Sequence, residues 1–162
     1  MRVSHLPLRL TTGAFILNSG LGKRALSSEA AAGLQGMAAN AVPAVRTMRP
    51  ETFGKTVAAA ETTLGLALLA PFVPSALAGA ALAAFSGGLL TMYWKTPGMH
   101  EHGSIRPTQD GTAVAKDVWM FGIGVALVTD ALDRTANSGR GSVESPPRRR
   151  ADRQARRAPC VA

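Results

Sequence analysis

TVAAAETTLGLALLAPFVPSALAGAALAAFSGGLLTMYW, residues 56–94, holds a single charged group, Glu61. The remainder is two apolar runs, Val57–Val73 and Ala76–Tyr93, interrupted by Pro71 and Pro74. At about 1.5 Å per helical residue each run reaches roughly 25–27 Å, close to the hydrocarbon thickness of a bilayer. A soluble helix of that length carries a polar face, and neither run has one. The pair reads as a transmembrane helical hairpin turning at Pro71–Ser75.

Upstream, Arg2 and Arg9 precede an apolar stretch, Leu10–Gly22, and Lys23-Arg24 follows it. A cleaved signal peptide has the same outline. Thr11, Thr12 and Asn18 interrupt the stretch, however, and no convincing Ala-x-Ala cleavage site comes after it. An uncleaved first span is the preferred reading, with Gly13 and Gly20 one heptad apart as a packing face. Ser27–Lys55 is a long connection whose Ala-rich first half, with Leu34 and Met37 and a Ser28 N-cap, predicts a short surface helix stopped by Pro43. A flexible loop is the alternative.

Downstream, Trp119 stands near the start of a fourth run, Val118–Leu132, which has 12 uncharged residues before Asp130. It can cross if Lys116-Asp117 and Asp130 lie among headgroups. Tyr93, Trp94, Trp119 and Phe53 then share one boundary, where aromatic residues collect. Gly65 follows Glu61 by one helical turn, and Gly79, Ala83 and Gly87 form a stripe of small residues suited to close helix packing in lipid.

The chain of 162 residues carries a formal net charge of +8. Residues from Arg134 onward hold eight Arg against two acids, so the basic character belongs to the tail. Its Ser, Gly, Pro and Arg composition predicts a disordered segment, with arginines drawn to anionic lipid headgroups. Interleaved aromatics are missing there, so no specific nucleic-acid partner is expected. The lone Cys160 excludes an intramolecular disulfide. The expectation is an all-α transmembrane four-helix bundle, spans about 8–24, 56–73, 75–94 and 115–132, followed by a disordered basic tail, 134–162.

Arg9-x3-Gly13-x-Phe15, Gly20-x2-Lys23, Glu61-x3-Gly65-x2-Leu68 and the Lys116-Asp117 that opens the fourth run together resemble the DoxX family of small bacterial four-helix membrane proteins. The likeness covers residues 9–133; Ala70-Pro71 stands where the family often continues with glycine. The resemblance implies four spans in a bacterial plasma membrane. It further implies a membrane subunit of a quinone-linked redox complex handling sulfur or oxidative stress. Quinone would be the cofactor, and a soluble oxidoreductase or sulfur-transfer protein the partner. A non-catalytic membrane scaffold or stress-response protein of the same fold is the alternative.

Four spans put both termini on one side, with ten Lys/Arg against eight on the loop side, and the positive-inside rule makes the termini cytoplasmic. On the loop side the spans gather Glu61, Lys23, Lys116, Asp117 and Tyr93, while Arg9 falls at the opposite boundary. An ionisable group in a span faces inward and paired, so Glu61 is expected to meet Lys23 or Lys116. Such a cluster is either a pocket for a quinone headgroup, with Glu61 exchanging protons, or an ion pair that fixes helix order. The helix-packing set is Gly13, Gly20, Gly65, Gly79 and Gly87. His100-Glu101-His102 has two imidazoles at i, i+2, which share a metal only in extended backbone with a third ligand from elsewhere, so no metal site is expected. Flavin, haem-attachment, phosphate-loop and Ser-His-Asp sequence motifs are missing, and without an internal repeat a transporter is disfavoured.

Overall fold

The computed structural model describes residues 4–141, and these form helices and connecting turns with no strand. Helix α1 is His5–Gly22, α2 is Ser28–Ala41, α3 is Pro50–Leu69 and α4 is Ser75–Lys95. A single turn, α5, Thr112–Ala115, precedes α6, Asp117–Gly141. The chain divides into two compact units, Met1–Ala131 and Leu132–Ala162.

Local chemistry explains most boundaries. Ser27 caps α2, its Oγ accepting from Ala30 N at 3.2 Å, one residue before the expected Ser28. Pro43 stops that helix by keeping Val42 out of the helical region, at φ −130° and ψ 88°. Pro50 occupies the first position of α3, where a missing N–H costs nothing. So α3 begins six residues before the span expected at 56. Pro71 and Pro74 end it and separate it from α4, which makes the hairpin.

Ile16, Leu64, Leu68, Ala78, Leu82 and Leu127 form the central core, with one or two residues from each of α1, α3, α4 and α6. The seams are narrow. A Cβ on Gly20 would lie 2.6 Å from Thr62 N, and one on Gly65 2.6 Å from Leu17 N, so α1 and α3 touch backbone to backbone. Gly13 sits on the same seam, its Cβ position 3.0 Å from Leu68 Cβ. Gly79 does the same for α4 against Gly124 and Leu127 of α6. Gly87 does not belong with them. Its Cβ position is 3.6 Å from the Phe121 ring, an ordinary contact, and Gly124 against Ala83 takes the role assigned to it.

Among the described residues, two helical segments are long and apolar enough to cross a membrane, Ser75–Lys95 and Thr112–Arg134. Their apolar windows are only 28% and 17% buried within the protein. Helices α1 and α3, expected as spans, do not reach that standard because Arg9, Asn18, Lys55, Glu61 and several Thr dilute them. Residues 134–141, placed in the tail from composition, belong to α6; residues 142–162 lie outside the described residues.

Candidate functional site

Two polar clusters lie within the first unit. One of them was expected.

Glu61 projects from the middle of α3, about 16 Å along from Pro50 rather than the shallow depth expected from a start at 56. It is 5% exposed. Lys23, just past the end of α1, donates to its Oε2 at 2.9 Å and also to Ser19 Oγ at 2.6 Å. The pair is therefore held from both sides, and Lys116 is not the partner. Lys116 instead lays its Nζ over the Phe15 ring, 5.1 Å from the centroid, a cation–π contact.

Asp117 differs from Glu61. It opens α6, is 5% exposed, and among the described residues no hydrogen bond or ion pair engages its carboxylate. Buried carboxylates are normally paired, so an open one is a functional signal. Asp117 lines a cavity of about 500 Å³ together with Lys23, Glu61 and Lys116. The other walls are apolar: Phe15 and Ile16 of α1, Leu34 and Met37 of α2, Phe53 of α3, Phe85 and Met92 of α4. A mostly apolar cavity with a few convergent polar groups is the usual form of a small-molecule site. Helix α2 forms one wall, and Gln35 ties it to the turn that follows, its Nε2 donating to Val45 O and Met48 O at 2.7 and 2.8 Å.

Tyr93 is not part of this cavity. Its hydroxyl turns to the α4–α5 loop and donates to Ile105 O at 3.0 Å. His100 stacks on Trp94, ring centroids 5.2 Å apart. Among the described residues no three of His, Cys, Asp or Glu converge on one point.

The second cluster was not foreseen. Arg9, expected at a headgroup boundary, is fully buried. Its guanidinium donates to Leu68 O, Ala67 O, Ala70 O, Val73 O and Ser75 Oγ at 2.8–3.2 Å. All five donors are used. The acceptors are the last carbonyls of α3 and the turn after it, groups that a proline-terminated helix leaves orphaned. Ser75 Oγ also lies 3.2 Å from His5 Nδ1, and His5 Nε2 lies 3.1 Å from Asp130 Oδ2. The Pro71/Pro74 pair marks where α3 ends and carbonyls are freed, but nothing in the sequence says that Arg9 is the group that meets them.

The Lys23–Glu61 pair can be weighed directly. Lys23→Met leaves a carboxylate stranded in a largely apolar wall and is expected to cost on the order of 2–3 kcal/mol. Lys23→Met with Glu61→Leu should regain most of that loss, as read by thermal unfolding in detergent. A double variant no more stable than the single one would mean that the pair is not the source of the cost.

Comparison of the chain with family models, with curated proteins and with solved structures gives no match.

Proposed function

We propose that the chain is an integral membrane protein of the DoxX type, crossing the bilayer four times. In this reading it serves as the membrane subunit of a quinone-linked redox complex, its cavity receiving the quinone headgroup. The observation that carries the reading is the open carboxylate of Asp117 in an apolar cavity beside the Lys23–Glu61 pair. Four crossings are supported by where polarity goes. In α1 and α3 the groups that lower hydropathy, Arg9, Thr12, Glu61 and Thr62, are buried in the protein. Outward they present Leu10, Phe15, Leu21 and Leu66. The apolar windows of α4 and of Thr112–Arg134 are mostly unburied, the reverse of a soluble core helix.

Reduction of a quinone to a quinol consumes two electrons and two protons. The sequence offers no flavin, haem or iron–sulfur motif to supply the electrons, so a soluble partner delivers them. A proton can come from a carboxyl group within hydrogen-bond reach of the carbonyl oxygen. Glu61, the residue first singled out for that role, is occupied by Lys23; Asp117 is free for it.

Reporter fusions after residues 26, 73, 96 and 134 should alternate sides, with both termini in the cytoplasm. Termini on opposite faces would end the four-crossing reading. In purified, stable protein Asp117→Asn should weaken binding of a short-chain benzoquinone by about tenfold, the usual loss with a charge-assisted hydrogen bond. Equal binding by the parent and the Asn variant would remove the headgroup assignment. A scaffold role is the second reading, favoured by the double anchoring of Lys23 on Ser19 and Glu61, which suits an ion pair fixing helix order. It predicts a stable four-helix protein that binds no quinone.

A further inference from the structure

We propose that the cavity is filled sideways from the acyl-chain layer, between α1 and α6, by an uncharged long-chain lipid whose head carries a hydroxyl or carbonyl group. This rests on the reading of the chain as a membrane protein with a headgroup cavity.

The α1/α6 seam differs from its neighbours. Helices α1 and α3, and α4 and α6, meet through glycine with backbones in contact. Between α1 and α6 lies instead a second cavity of about 260 Å³. The seam is pinned near its two ends, by His5 on Asp130 at 3.1 Å and by Lys116 over Phe15 at 5.1 Å. Phe15, Lys116 and Met120 line both cavities, so these three side chains are the wall between them. The outer side of the smaller cavity is Thr11 and Trp119, both exposed. In a bilayer that face meets acyl chains. The opposite approach, from water, is covered by apolar side chains of α2 and the turn after it, Leu34, Met37, Ala38 and Val45.

The head follows from charge. Lys23 and Glu61 neutralise each other, and Lys116 stands beside Asp117, so the four groups sum to zero. The lining as a whole is neutral, so a charged head would give the cavity a net charge away from bulk water, which is costly. A hydroxyl donates to an ionised Asp117, and a carbonyl accepts from a protonated one. Phe15, held by Lys116 across the shared wall, is the side chain that has to swing for the head to pass.

The test uses the full chain in phosphatidylcholine vesicles and three probes of equal chain length, each with a diazirine near the head: a long-chain alcohol, an alkylphosphate and an alkyltrimethylammonium. Cross-linked peptides are read by mass spectrometry. The alcohol is expected to label Phe53 and Phe85, which line the larger cavity and not the outer groove, and both charged probes to label them about fivefold less or weaker still, reflecting the cost of desolvating a charge. Thr11→Trp plugs the outer groove from an exposed position, and Ile123→Trp plugs it from the facing helix. Either variant that keeps the parent's thermal stability should slow labelling by about fivefold or more, since a blocked portal acts on the rate of entry. Unchanged labelling rates in both plugged variants would overturn the sideways route and leave the headgroup cavity standing. Equal labelling by the charged probes would overturn the assignment of the head. No labelling of cavity residues by any probe would overturn the inference and the cavity reading together.

Discussion

Arg9→Ala should abolish accumulation of folded protein, and Arg9→Lys should leave a protein that unfolds at a much lower temperature. The guanidinium meets five acceptors, four of them backbone carbonyls between residues 67 and 73. Alanine removes every donor and leaves those carbonyls buried beside a gap. A hydrogen bond to a charged group contributes about 1.5–3 kcal/mol, and stranding a buried acceptor costs about 1–3 kcal/mol. These terms do not add fully, but two or three of them already exceed about 5 kcal/mol, the lower end of the stability of a whole domain. Among the described residues no carboxylate pairs with the guanidinium; the negative end of the α3 dipole faces its charge, so it acts as a helix cap rather than as half of a salt bridge. Lysine keeps the charge but has three donors on one atom, where the acceptors are spread around a planar fork. Expression level and unfolding midpoint in detergent decide the matter. An Ala variant that accumulates and melts like the parent would mean that the α3 terminus needs no such cap.

The Lys23–Glu61 pair was legible because hydropathy and spacing speak to it directly: one acid in an apolar run needs a partner, and lysine stands where the first helix ends. Arg9 was not, for a matching reason. Its acceptors lie 58 to 66 residues away and are mostly backbone, which carries no residue-type signal. An arginine near the start of a span looks the same in one dimension whether it reaches lipid or caps another helix. The glycine seams divide along similar lines. Gly13, Gly20, Gly65 and Gly79 sit at close approaches, but Gly87 shares the spacing and not the contact. At that level the Phe121 ring of α6 stands against Gly87 and keeps the backbones apart, and an i, i+4 rule cannot see the size of the facing side chain. Asp117 was grouped with the right residues for a weaker reason, as a headgroup-level charge. Its open carboxylate became visible only when Lys116 was found committed to Phe15.

Gly65→Val is expected to cost about 3 kcal/mol or more, above the 1–3 kcal/mol typical of overpacking. The excess comes from what else depends on the same seam. A Cβ at Gly65 would meet Leu17 N at 2.6 Å and Leu17 Cα at 2.8 Å, which are backbone atoms and cannot rotate away. Helix α1 must then separate from α3. That separation stretches the Arg9 bonds at one end of the pair and the Lys23–Glu61 contact at the other. If the chain spans the bilayer as proposed, the loss is not offset by water exclusion elsewhere, because packing itself holds helices together in lipid. The loss should also be less than additive with Lys23→Met, since both variants break the same contact. Two glycines serve as controls. Gly36→Ala in α2 meets nothing within 4 Å and should stabilise the chain by up to about 1 kcal/mol through helix propensity. Gly87→Ala, at an ordinary 3.6 Å, should likewise be tolerated. If Gly65→Val melted no lower than Gly87→Ala, then α1 and α3 would not be in backbone contact, and the ion pair they share would lose its rigid support.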